Sequence, residues 1–352
     1  MQTTFSRRSM LQLTALAPAL RPWRPLFAQA QATPAPRSTV SLVKGDNRRK
    51  NAAEALAAID EQLRPVLRTK KYVIIKTNFV STTNQLAASH TDAVHGILDY
   101  LEPRFKGPVM VAEASAGDTM DGFEQFGYNR LAAERKSQKV QLVDFNREAT
   151  YKVLPLINYD LHAAPARLAG RLFDPDAFVI CSAMLKTHNT VVATLSVKNM
   201  ALGAPLHSVG RDAPRWNDKR VTHNGLRQTQ YNIFLSAQAM APYWHVAFID
   251  GYEGMEGNGP SSGTPVPSRV AIASRDFIAA DRVGVELMGI DPTWMGYLRF
   301  CGDFGLGQYD LSKIDVRGEK IAAVARKYQL HRDIERELEW MGPMKDLPPK
   351  VG

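Results

Sequence analysis

The stretch Tyr72-Val73-Ile74-Ile75-Lys76-Thr77-Asn78 decides the fold. Four apolar or aromatic residues run without a break and stop at three polar ones. Such a run marks a strand buried on both faces, as in a parallel sheet covered by helices. The pattern recurs at 109–112, which runs into Glu113 and Ser115, and at 178–181, which leads through Ser182 to Lys186-Thr187-His188-Asn189. It recurs again at 244–249, which runs into Asp250-Gly251 and then Glu253 and Glu256 among glycines. Shorter strands are predicted at 39–43, 141–144 and 270–273. Between them lie helical patterns at 48–67, 92–101, 226–240 and 277–288. In the second of these, Val94, Ile97, Leu98 and Leu101 recur at i, i+3, i+4 and i+7. Alternating strands and amphipathic helices predict an α/β fold: a mostly parallel sheet flanked by helices on both faces. Residues 151–156 read as an added edge strand stopped by Pro155. Residues 190–199 read as either strand or helix, with helix preferred, and 206–223, polar and without apolar period, as a long surface loop.

The first thirty residues stand apart. They carry Arg7, Arg8, Arg21 and Arg24 and no acid. Ser6-Arg7-Arg8-Ser9-Met10-Leu11-Gln12, an apolar stretch to Leu20 and Ala28-Gln29-Ala30 read in order as a twin-arginine leader with its cleavage site. The expected organisation is a leader at 1–30, a linker at 31–38, an α/β domain at 39–318 and a charged helical tail at 319–352. Its expected partner is the twin-arginine export machinery, and its expected address is periplasmic or extracellular. No apolar run reaches the roughly 18 residues that a bilayer span needs, so no membrane span is expected in the mature protein.

Losing four arginines takes the formal charge from +9 to +5. The remaining cations are interleaved with acids, so no nucleic-acid stripe is expected. A small anionic ligand fits better. The two cysteines, Cys181 and Cys301, form no Cys-x-x-Cys pair. A built-in iron–sulfur cluster is therefore not expected. No Gly-x-Ser-x-Gly, Walker or dinucleotide-binding fingerprint is present either.

Ligands of open parallel sheets bind at the carboxyl ends of the strands. The polar residues that follow the strands are thus the candidate site. Lys76, Lys186 and His188 are the candidate catalytic groups, holding an anion or moving a proton. Asn78, Glu113, Thr187, Asn189, Lys198 and Asn199 are candidate ligand-binding residues. Gly257 and Gly259 join them, because glycines permit close backbone approach. Asp250, Glu253 and Glu256 are candidate ligands for a divalent metal. The expectation is that Lys76, Glu113, His188 and Asp250 share one pocket.

Several of these segments resemble one family, domain of unknown function family 362. They are Ile74-Ile75-Lys76-Thr77-Asn78, Leu185-Lys186-Thr187-His188-Asn189-Thr190 and Ser196-Val197-Lys198-Asn199. They continue with Ile249-Asp250-Gly251 running to Gly257-Asn258-Gly259-Pro260, then Ala280-Asp281 and Gly305-Leu306-Gly307. The resemblance implies an α/β fold and no settled activity. Relatives that carry an iron–sulfur segment differ from this chain, which lacks the cysteines. Three functions follow as expectations: an exported enzyme acting on a small anionic molecule, a redox accessory or cofactor-maturation protein, and a non-catalytic ligand-binding protein.

Overall fold

The run at 72–76 forms the middle of a large sheet because its side chains alternate between two apolar layers. In the computed structural model, which describes residues 37–210 and 214–343, twelve strands can be followed. They are β1 (Ser38–Lys44), β2 (Tyr72–Lys76), β3 (Val109–Glu113), β4 (Val140–Asp144), β5 (Tyr151–Ile157) and β6 (Ala163–Ala169). The second half holds β7 (Ala177–His188), β8 (Val192–Thr194), β9 (Trp244–Glu256), β10 (Thr264–Val266), β11 (Val270–Ser274) and β12 (Ile314–Gly318). The main sheet runs β12-β1-β11-β9-β7-β2-β3-β4. Its core, β9-β7-β2-β3-β4, is parallel, and β11 pairs antiparallel with both β1 and β9. The expected mostly parallel α/β fold is what forms.

Ile74, Val179, Cys181, Ala183, Ile249 and Ile272 face one layer. Helices Ser196–Gly203, Leu226–Met240 and Phe277–Leu287 cover it. Val73, Ile75, Phe178, Ile180, Phe248 and Ala273 face the other, under helices Arg48–Ala57, Asp60–Leu67 and Thr91–Leu101. Adjacent strand residues point to opposite faces, so one-residue alternation fixes which layer each side chain enters. That rule places the polar ends too: Lys76 follows Ile74 by two, and Asp250 follows Phe248 by two.

The chain order runs β2-β3-β4 outward on one side of β2, while β7 and β9 lie on the other. The carboxyl ends of β2 and β7 therefore flank a topological switch point, where such sheets open a crevice.

Several local expectations change. The helix expected at 48–67 is two helices that break at Ala58–Ile59. The strand at 151 is not an edge of the main sheet: it passes through Pro155 and pairs with β6 in a separate hairpin. Residues 190–199 divide between β8 and the start of the helix Ser196–Gly203. The stretch 206–223 is not all loop, because it ends in the short helix Lys219–Thr222 and buries Leu206. Ser38, placed in the linker, opens β1. The leader expected at 1–30 lies outside the described residues.

The C-terminal segment is a strap rather than a helical tail. Among the described residues of this segment, only the four-residue helices Ile321–Val324 and Ile334–Glu337 and a 3-10 turn form. Extended chain between them is tied to the sheet. Gly257 N donates to the Gln329 carbonyl at 2.7 Å, and Gln329 N donates to Glu256 at 2.8 Å. The buried Glu337 accepts from Val192 N at 2.9 Å. Among the described residues no helix is long and apolar enough to cross a membrane.

Candidate functional site

Lys76 leaves β2 fully buried and meets Glu113 at the end of β3, Nζ to Oε1 2.7 Å. Its other two protons go to the Thr77 carbonyl at 2.8 Å and Asn199 Oδ1 at 3.1 Å. Glu113 is equally occupied: Oε1 also accepts from Ala114 N, and Oε2 from Phe79 N at 2.9 Å. Asn199 accepts a second bond from Asn78 Nδ2 at 2.9 Å and donates to the Thr77 carbonyl at 3.2 Å. A buried ion pair is retained at low cost only when its remaining hydrogen-bonding sites are filled, and here they are. The glycine at 203 makes room for it, because a Cβ there would stand 2.4 Å from Lys76 Nζ.

The partner helix is held by a neighbouring helix of the same layer, Phe277–Leu287. Asp281 accepts from Ser196 N at 2.8 Å, Val197 N at 2.9 Å and the Ser196 hydroxyl. It thus caps the N-terminus of the helix that carries Lys198 and Asn199. Burial raises its carboxyl to about 7 against those bonds. Two segments that read only as separate family motifs, 196–199 and 280–281, form one construction.

A cleft of about 100 Å³ opens beside this network. Its walls include Lys76, Asn78, Phe79, Val80, Glu113, Lys198, Asn199, Leu202, Lys219 and His223. Lys198 is 5% exposed, its amine opening onto the cleft, and among the described residues its side chain has no hydrogen bond and no ion pair. Burial, and then the Lys76 charge, bring its amine down to about 7, while Glu113 opposes the fall. Lys219 reaches the same cleft from the short helix and makes only a long contact, 3.4 Å, to the Gly203 carbonyl. His223 closes the rim, its Nδ1 2.9 Å from the Lys219 carbonyl. The lining thus sets three lysines and a histidine against one carboxylate, and that carboxylate is spent on Lys76. His223 stands where its place after the polar stretch and before a helix allows it to turn toward the cleft, whereas Lys219 was not singled out in the sequence, because it sits in a stretch without apolar period.

Of the expected residues, Lys76, Asn78, Glu113, Lys198 and Asn199 converge. Lys186, Thr187 and His188 do not line the cleft, because β7 continues through them as an ordinary buried strand paired with β8. Lys186 is fully buried, 3.4 Å from the carbonyls of Ala87 and Pro260. Burial and neighbouring Lys198 hold its amine well below the usual range. His188 Nδ1 accepts from Thr190 N at 3.1 Å, so its ring organises the hairpin turn. Thr187 donates to the Gly257 carbonyl at 2.9 Å, and Gly259 packs where a Cβ would meet the Thr187 carbonyl. Thr187, Gly257 and Gly259 thus hold one another rather than a ligand. Asn189 is exposed at the turn, bonded to the Thr190 hydroxyl at 3.3 Å.

The acids of β9 do not form a metal centre. The strand continues through them to Glu256. Asp250 enters the opposite layer and pairs with Arg48 at 3.3 Å, and burial raises its carboxyl. Glu253 is half exposed, 4.0 Å from the same guanidinium. Glu256 is engaged by the C-terminal strap. Among the described residues no group of three or more His, Cys, Asp or Glu is arranged around a metal position. The expected common pocket therefore holds Lys76 and Glu113 but neither His188 nor Asp250. Cys181 and Cys301 are both free and buried.

The fold and this cation-rich cleft beside the ends of β2 and β3 define the class: an α/β protein with a mostly parallel sheet. The chain belongs to the family described as domain of unknown function (DUF362), whose model matches residues 73–286. The matched span contains the ion pair, the cleft and the capping Asp281. No curated protein matches. Among solved structures, the chain is similar to a crystal structure of a protein from Thermotoga maritima, at 13% identity and a TM-score of 0.40. The likeness covers 63% of this chain and about half of that one, 55%.

Proposed function

We propose that the cleft at the ends of β2 and β3 binds a small anionic molecule and acts on it. One observation carries the reading. Lys198 is buried in the cleft wall, and no acid in its surroundings is free to neutralise it. An unpaired buried ammonium is costly, and an anionic ligand removes that cost. An amine near neutrality can also give and take a proton during a reaction. The saturated Lys76–Glu113–Asn199 network acts differently, as the rigid floor that positions Lys198. The arginine-bearing leader supports the further reading that the protein works outside the cytoplasm.

Sulfate is the useful probe, because its charge stays constant near neutral pH. Thermal unfolding with and without sulfate is expected to show site-specific stabilisation on top of the general salting effect. Lys198→Met should keep only the general part. Lys198 faces Lys76, Glu113, Lys219 and His223, with Lys186 and His188 behind, and its pKa is lowered. It is charged below about pH 7 and neutral above, so the specific stabilisation should fall as pH rises through that value. Equal sulfate stabilisation in wild type and Lys198→Met would sink the proposal. Binding without turnover across a panel of carboxylates and phosphate esters would reduce it to a ligand-binding protein.

A further inference from the structure

Each lysine near the cleft has a different degree of commitment. Lys76 spends all three protons on acceptors. Lys186 lies behind the wall against two carbonyls. Lys219 approaches from a helix end with partial solvent access. Lys198 alone of the four lines the cleft buried and without an acceptor. Its surroundings favour the free amine over the ammonium, and a desolvated lysine beside another cation is a recognised way to make a nucleophile. The space, about 100 Å³, suits a small molecule. Phe79, Val80 and Leu202 give it an apolar wall, and Lys219 with His223 gives it a rim of hydrogen-bond donors; burial brings Lys219 to about 7 and His223 to about 4, so His223 meets a ligand as a neutral imidazole.

We infer that Lys198 forms an imine with a small 2-oxo carboxylate, whose carboxylate meets the Lys219 and His223 rim. The inference rests on the anion-binding reading and names its substrate class. In the step, Nζ attacks the carbonyl carbon and a C–N bond forms as one amine proton passes to the carbonyl oxygen. The C–O bond then breaks, the hydroxyl leaves as water with a second proton taken from solvent, and the nitrogen keeps one hydrogen as a protonated imine. No oxidant or metal enters the balance. Borohydride, added as the external reductant, converts that imine to a stable secondary amine.

The test uses the full chain, pyruvate as probe and borohydride as trap, with the modified lysine located by peptide mass spectrometry. The expected result is label on Lys198 at least about tenfold above any exposed lysine, because an ordinary lysine is almost wholly protonated at neutral pH. Labelling should rise with pH through about 7, opposite in sense to sulfate binding, and sulfate should suppress it. Pyruvate stabilisation that depends on Lys198, without label there, overturns the imine and leaves the anion site standing. Label spread evenly over surface lysines also overturns the imine. Neither label nor Lys198-dependent stabilisation by any anion overturns both readings. Mapping on the wild-type chain makes the test independent of whether a variant folds.

Discussion

The ends of β2 and β3 and the far half of β9 carry the same sequence signal, an apolar run breaking into charge, and the structure uses them in opposite ways. At β2 and β3 the charges meet around the strand ends and lock to each other: Lys76, Glu113, Asn199 and Asn78 leave one buried acceptor unfilled, Asn78 Oδ1. At β9 the strand does not stop. Asp250 and Glu256 are drawn to separate partners, Arg48 and Gln329, on different elements. A charge after a strand therefore announces a site only when neighbouring strands end at the same level and their polar side chains reach one another.

Three substitutions test that contrast, in falling order of effect. Glu113→Gln leaves the Lys76 ammonium buried without its counter-charge. Breaking a buried pair costs about 3–5 kcal/mol, so the urea midpoint should fall sharply, and a Lys76→Met, Glu113→Gln double variant should recover much of the loss. A small loss in the single variant would show that water reaches the pair. Gly203→Ala pushes a methyl group against Lys76 Nζ and should cost about 1–3 kcal/mol by overpacking, measured the same way. An unchanged midpoint would mean that the helix Ser196–Gly203 shifts freely against β2. Glu253→Gln, half exposed at the edge of the Arg48 pair, should change stability by no more than about 0.5 kcal/mol. A larger effect would make β9 a second organised ionic centre and erase the difference between the two regions.

Much of the fold was legible because buried parallel strands cannot hide their composition. Residues 72–76 and 109–113 announce themselves as apolar runs, and the 91–101 helix by its period. The end of a strand was not legible where tertiary partners absorb its polar residues. Lys186, Thr187 and His188 look like a loop in sequence, yet β8 and the 257–260 turn satisfy them one by one. For the site, Lys76, Glu113 and Asn199 could be read from position alone. Lys219 could not, because a four-residue helix has too few residues to show a period. The capping role of Asp281 was hidden for another reason. It joins positions 85 residues apart, a pairing that no local pattern encodes.

The position of β1 has a consequence for biosynthesis. Its two neighbours in the sheet are β11 and β12, with Val43 opposite Ala271. A ribosome adding about 5–20 residues per second makes the first strand wait on the order of ten seconds or more for a partner. During that interval an apolar edge is exposed to whatever binds nascent chains, and this side of the sheet closes only after β11 and β12 have been made.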